Sequence, residues 1–173
     1  TLVPKITIRH PEKRPRMNES PNDSKRAQVS NGCPQLKANS SEINELFTVL
    51  DRFGGFDSPS GELSIAFLSK EEIARIHHQF MQDSSVTDVI TFPGDPDEGI
   101  AGEICVCPEV AFDYAQAHST DFSRELALYL AHGYLHLCGF DDIEDDDRTA
   151  MRQAETIALS TLEKRGAFPS FEF

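Results

Sequence analysis

Apolar positions along the middle of the chain change period several times, and each change marks an element. Ile43, Leu46, Phe47 and Leu50 recur at the three- and four-residue spacing of one helix face. This predicts a helix that starts at Ser40 and Ser41, whose hydroxyls offer N-caps, and closes at Gly54-Gly55. Gly61 to Leu68 reads as a strand, and Ser69-Lys70-Glu71-Glu72 is a capping box that opens a second helix through Ile73, Ile76 and Phe80. Asp88 to Phe92 is a short apolar run stopped by Pro93-Gly94 and the acidic turn Asp95-Pro96-Asp97-Glu98-Gly99, hence another strand. Ile100 to Cys107 is a further strand, and Pro108 at a first helical position starts a helix toward Ala117. Asp121 caps the next helix, which runs to about Leu137 and stops at Gly139. A last helix follows Asp145-Asp146-Asp147, carboxylates suited to a helix N-terminus.

The first forty residues read differently. Ile6-Thr7-Ile8, within Leu2 to Arg9, alternates as a half-buried strand does, and Pro11 and Pro15 end it. From there to about Ser40 the chain is rich in Pro, Asn, Ser, Lys and Arg and poor in apolar residues, so residues 11–40 are expected to form a flexible insert after the first strand. Four strands and about five helices in this order predict an α+β fold, a small mixed four-stranded sheet covered by helices. At 173 residues a single domain spanning 1–173 is expected.

Charge sharpens the division. Residues 1–40 hold 8 Lys/Arg against 3 Asp/Glu, a net of +5, and residues 41–173 hold 8 against 26, a net of −18. So acidic a domain should bind naked RNA poorly except through a basic patch, a bound cation or a partner protein. No window approaches the roughly 20 apolar residues of a membrane helix, and no export signal is readable, so a cytoplasmic protein that does not enter the membrane is expected. Cys33, Cys105, Cys107 and Cys138 are too scattered for a disulfide framework. Cys105 and Cys107, at alternate positions of a strand, are expected simply to share one face.

The chemistry gathers in His132-Gly133-Tyr134-Leu135-His136. At about 100° per residue two histidines four apart stand only about 40° apart on the helix, one turn above each other, so both imidazoles reach one ion. Gly139 ends that helix, and the turn Gly139-Phe140-Asp141-Asp142 can return a third ligand, with Asp142 six residues beyond His136. Two imidazoles and a carboxylate suit Zn²⁺ and leave one coordination position open, which implies catalysis. Leu126, Leu130, Leu135 and Leu137 make this an internal helix, where imidazoles need a ligand to satisfy them. Gly133 in such a helix implies close packing against it. His10, His77, His78 and His118 have no partner at ligand spacing and are expected on the surface.

The run His132-Gly133-Tyr134-Leu135-His136-Leu137-Cys138-Gly139-Phe140-Asp141-Asp142 closely resembles the signature of the YbeY family, H-G-x-L-H-L-x-G-Y-D-H. The resemblance continues upstream through Thr87-Asp88-Val89-Ile90-Thr91-Phe92-Pro93, Gly102-Glu103-Ile104, Pro108 and Glu125-Leu126, over roughly 61–160. It implies a zinc-dependent, single-strand-specific endoribonuclease of α+β fold that acts in ribosomal RNA maturation and ribosome quality control. One zinc per chain would be held by His132, His136 and Asp142. Ribosomal RNA or ribosomal particles, with a ribosomal protein, would be the partners, and no DNA is expected.

Two departures from the family pattern matter. Asp142 stands where the family has its third histidine; it keeps a zinc donor, adds a negative charge and should lower the metal's Lewis acidity. Met81 stands where many members have an arginine that resembles a phosphate-binding group, and Arg124 is the candidate to take over that role. Asp88, Glu103 and Glu125 are candidate carboxylates behind the ligands or for proton transfer. No catalytic group beyond a metal-activated water is assigned. A ribosome-associated assembly factor with a mainly structural metal, closed by Cys107 or Cys138, is the alternative. A metallopeptidase is disfavoured, because the H-E-x-x-H type needs a glutamate where Gly133 stands.

Overall fold

The computed structural model describes residues 26–173. A four-stranded mixed sheet is built from β1 (Ala27–Asn31), β3 (Glu62–Phe67), β4 (Val89–Pro93) and β5 (Ile100–Val106) in the spatial order β1-β3-β5-β4. The first three in that order run parallel and β4 closes the edge antiparallel to β5. A two-residue strand β2 (Lys37–Ala38) pairs antiparallel with β6 (Phe171–Glu172), joining the segment before α1 to the one after α5. The helices are α1 (Ser40–Phe53), α2 (Lys70–Met81), α3 (Pro108–His118), α4 (Phe122–Leu137) and α5 (Asp145–Arg165). This is the α+β architecture that the periodicity predicts. No helix among the described residues is long and apolar enough to cross a membrane.

The flexible insert expected over 11–40 must be corrected in its second half. β1 lies inside it, Ala27, Cys33 and Leu36 are buried, and Arg26 is held by Asp51 at 2.6 Å. β1 is an edge strand whose order comes from backbone pairing with β3 and not from an apolar repeat of its own. Residues 1–25, including the strand expected at Leu2 to Arg9, lie outside the described residues.

Local chemistry sets the helix ends. Ser69 and Glu72 complete the capping box of α2, Asp121 accepts from the Arg124 amide to cap α4, and Pro108 opens α3. The cap of α1 is Asn39, one position before the serines, because its carboxamide oxygen accepts from the amides of Ser41 and Glu42.

The larger core lies between the sheet and α1, α4 and α5, with Phe47, Ile104, Leu130 and Leu135 fully buried. On the other face a small cluster gathers Ala66, Ile73, Ile90, Cys105 and Cys107, so Cys105 in β5 and Cys107 just beyond its end are packing residues of one cluster. α4 lies directly on the sheet at Gly133. A Cβ there would come within 2.5 Å of Ile104 Cγ2 and 3.0 Å of Val89 Cγ1. Alanine is worth about 1 kcal/mol over glycine in a helix, but overpacking a filled core costs about 1–3 kcal/mol. Because the clash is with a fully buried side chain, the packing cost should win. Gly133→Ala is expected to lower the melting temperature by several degrees, at about 2–4 °C per kcal/mol for a chain of this size; an equal or higher melting temperature would reject close packing as the reason for glycine.

Candidate metal centre

α4 delivers both histidines at its C-terminal end, with the His136 side chain fully buried and that of His132 13% exposed. Their Nε2 atoms are 3.1 Å apart. The helix then stops in a tight turn. The Phe140 amide donates to the Leu135 carbonyl and the Gly139 amide to that of His136, and Gly139 adopts φ 103°, which glycine tolerates. This reversal brings Asp142 back over the last turn, with its carboxylate oxygens 3.8 Å from both Nε2 atoms. One donor atom from each of the three residues lies within 4.8 Å of the others, and among the described residues no further cluster of this kind occurs.

Each imidazole is oriented from behind. His132 Nδ1 lies 2.6 Å from a Glu155 carboxylate oxygen, and His136 Nδ1 lies 3.0 Å from the Phe140 carbonyl. Carboxylate and carbonyl accept, so each Nδ1 donates and each Nε2 turns a lone pair toward the same point. A tetrahedral ion with bonds of about 2.0–2.1 Å spaces its donors about 3.3 Å apart. The observed 3.1 Å between the nitrogens is close to that edge, and the carboxylate need move only a few tenths of an ångström. The donor set and its spacing therefore fit a divalent ion such as zinc.

Asp141 and Asp142 have different tasks. Asp141 Oδ1 accepts from the Asp142 amide at 2.8 Å and so fixes the turn, whereas the Asp142 side chain faces the histidines. Arg148 on α5 reinforces the turn by donating to the carbonyls of Asp142 and Ile143. None of the cysteines joins the group. Burial pushes the Cys138 thiol up to about 12 and the Cys107 thiol up to about 11, as expected of packed thiols.

The other candidates are placed as follows. Asp88 accepts from the Val89 amide and the Thr87 hydroxyl and so caps its own strand. Glu103 lines a shallow cleft with Phe92 and Cys105 on the opposite face of the sheet. Glu125, two turns before His132, has its carboxyl pushed up by burial and bonds Tyr129. Arg124 stacks over Phe168 at 5.1 Å and lies 3.9 Å from Glu163, so it does not point at the histidines. His78 and His118 are exposed as expected. His77 is not: it is buried, with Nδ1 2.9 Å from the Ser85 carbonyl, because α2 turns it under the following loop. His10 lies outside the described residues.

Glu155 is the site residue that local spacing misses. It sits four residues after buried Met151 and three before buried Ala158, so a carboxylate on the inward face of α5 is its one signal in the sequence. Removing the charge behind a ligating imidazole typically costs 10–100-fold in metal affinity. Glu155→Gln is expected to weaken zinc binding by about that factor in competition with a chromophoric chelator, and unchanged affinity would show that Glu155 does not tune the ligand.

Comparison with known proteins gives the chain a family. Residues 25–163 match the model of a protein family described as endoribonuclease YbeY. A protein of that name from Protochlamydia amoebophila is 42% identical over 107 residues, which cover 60% of this chain and 71% of the relative. One from Finegoldia magna is 34% identical over 116 residues, covering 65% and 74%. The solution structure of TM1509 from Thermotoga maritima superposes with a TM-score of 0.57 at 26% identity, covering 81% of this chain and 92% of that one.

Proposed function

Because the chain belongs to the YbeY endoribonuclease family, we propose that it is a zinc-dependent, single-strand-specific endoribonuclease that acts in ribosomal RNA maturation and ribosome quality control in the cytoplasm. The observation that carries this reading is the convergence of His132 Nε2, His136 Nε2 and the Asp142 carboxylate on one point, a cluster that no fourth His, Cys, Asp or Glu among the described residues joins. Zinc bound there would supply Lewis acidity toward a phosphoryl oxygen and would acidify a water molecule.

The protein's own part is orientation and charge. Glu155 and the Phe140 carbonyl keep the proton on Nδ1 of each histidine, so both Nε2 atoms stay available as donors. Asp142 makes the donor set one charge more negative than three imidazoles would be, which tightens the hold on a cation and weakens its pull on the phosphate. A slow enzyme is the consequence. The acidic domain adds to this: 8 Lys/Arg against 26 Asp/Glu over residues 41–173 repel a polyphosphate over about one Debye length, roughly 8 Å at physiological salt. Encounter with RNA then relies on the metal, on local basic groups or on ribosomal particles and a ribosomal protein.

That no cysteine joins the donor cluster weakens the alternative of an assembly factor with a closed structural metal. A peptidase base at position 133 is disfavoured because that position faces the buried side chains of Ile104 and Val89. The test is cleavage of labelled precursor ribosomal RNA and of casein by the zinc-loaded chain, with a chelator control and with or without ribosomal particles. Slow chelator-sensitive cleavage of single-stranded RNA, faster on particles, is expected, with casein intact. Casein cleavage would favour a peptidase, and RNA left whole even on particles would favour the assembly factor.

A further inference from the structure

Residues 26–173 carry 10 Lys/Arg against 26 Asp/Glu, so a carboxylate partner is available to almost any cation. Arg26, Lys37, Lys70, Arg124 and Arg148 each take one. Arg52, Arg75, Arg152, Lys164 and Arg165 take none among the described residues, and of these Arg52 and Arg165 share one exposed ring. Arg52 ends α1 and Arg165 ends α5, and both guanidinium groups converge on the ring of Phe53, at 5.9 Å and 3.6 Å from its centroid. Phe53 is 45% exposed, Lys164 is exposed beside Arg165, and no ion pair holds any of these three cations among the described residues.

Each cation alone has an ordinary reason, since a basic group in a last turn complements the helix dipole. That reason does not explain why two like charges share one exposed aromatic ring in so acidic a domain. A ligand that brings both an anion and a flat ring would relieve the repulsion and cover the ring. We propose that Arg52, Phe53, Lys164 and Arg165 form an anchor for single-stranded RNA, in which the cations take backbone phosphates and a base stacks on the Phe53–Arg165 pair. This rests on the endoribonuclease reading and extends it to how the substrate is held. Arg165 lies ten residues beyond Glu155, about 15 Å along α5 at 1.5 Å per residue, so a strand held there reaches the histidines within a few nucleotides. An acidic peptide would satisfy the charges and leave the ring uncovered, which is why RNA is the favoured occupant.

The test is the binding of a labelled oligoadenylate of about 12 nucleotides to the full zinc-loaded chain, read by fluorescence anisotropy across a salt series before cleavage proceeds. The double variant Arg52→Gln/Arg165→Gln should bind about tenfold more weakly and should reduce the slope of log affinity against log salt by roughly 1.4, two phosphates at about 0.7 each. Phe53→Ala should weaken binding about tenfold with the slope unchanged. Arg75→Gln, which removes an exposed cation from α2, should change little. If the double variant loses no more than Arg75→Gln while wild type binds and cuts RNA, the anchor is wrong and the endoribonuclease reading stands. If wild type neither binds nor cuts, both fall. Displacement of the oligonucleotide by polyglutamate as readily as by unlabelled RNA would overturn the choice of RNA as occupant.

Discussion

The His132→Ala/His136→Ala protein is expected to contain no zinc and to cleave RNA at least about a thousandfold more slowly than wild type. Both imidazoles present Nε2 to the same point, 3.1 Å apart, and their removal leaves Asp142 as the one carboxylate of the cluster among the described residues. A single carboxylate does not retain zinc against water and buffer. The scissile phosphate would then lack both the Lewis acidity, worth several kcal/mol of barrier, and the acidified water that a bound zinc would supply. A second readout separates this from misfolding. A ligand that binds only the native state raises stability by about 4 kcal/mol at a thousand times its dissociation constant. Added zinc should therefore raise the melting temperature of wild type by several degrees and leave the variant's cooperative transition where it is. Wild-type zinc content in the variant, measured by elemental analysis, would put the site elsewhere.

Asp142 is expected to be the third donor, and the neighbouring Asp141 is not. The Asp142 carboxylate lies 3.8 Å from both Nε2 atoms, while Asp141 uses Oδ1 to accept from the Asp142 amide. Asp142→Ala should lower zinc affinity by more than a hundredfold, beyond the 10–100-fold typical of residues behind the ligands. Asp142→His should keep the metal, with cleavage at least as fast as wild type, because a neutral donor leaves more of the cation's charge for the phosphate. Asp141→Asn retains the oxygen that fixes the turn and should bind zinc nearly as well as wild type. Metal lost with Asp141→Asn and kept with Asp142→Ala would reverse the assignment.

The sequence made legible whatever local rules govern. The Ser69 and Glu72 capping box, the Asp121 cap, Pro108 and Gly139 mark helix ends through contacts a few residues apart, and the structure places α2, α3 and α4 accordingly. The histidine pair was legible for the same reason, since helical geometry alone puts positions four apart on one face. Gly133 also spoke correctly, as a side-chain gap filled by Ile104 and Val89.

What local rules do not reach was missed or misplaced. β1 has little more than Ala27 and Val29 to mark it, and its order comes from β3, more than thirty residues away. Glu155 reaches His132 across 23 residues, and only the packing of α5 on α4 joins them. Asp88, Glu103 and Glu125 have the right chemistry for such a role, but strand capping, the opposite sheet face and a bond to Tyr129 occupy them. A network behind the site was invisible in the same way: Tyr134, between the two histidines, donates to Asp51, which Arg26 and Ser58 also hold. His77 was misplaced because spacing says nothing of the loop that covers it.

The absorption spectrum of the cobalt-substituted chain tests the central claim most directly, because it reports donor type and coordination number together. An open site of two imidazoles and one carboxylate should show no thiolate-to-cobalt charge transfer, and its visible bands should shift when inorganic phosphate enters the remaining position. The same spectrum should vanish in His132→Ala/His136→Ala. A near-ultraviolet thiolate band, or visible bands that do not respond to phosphate at any concentration, would mean a closed structural site and would contradict the account.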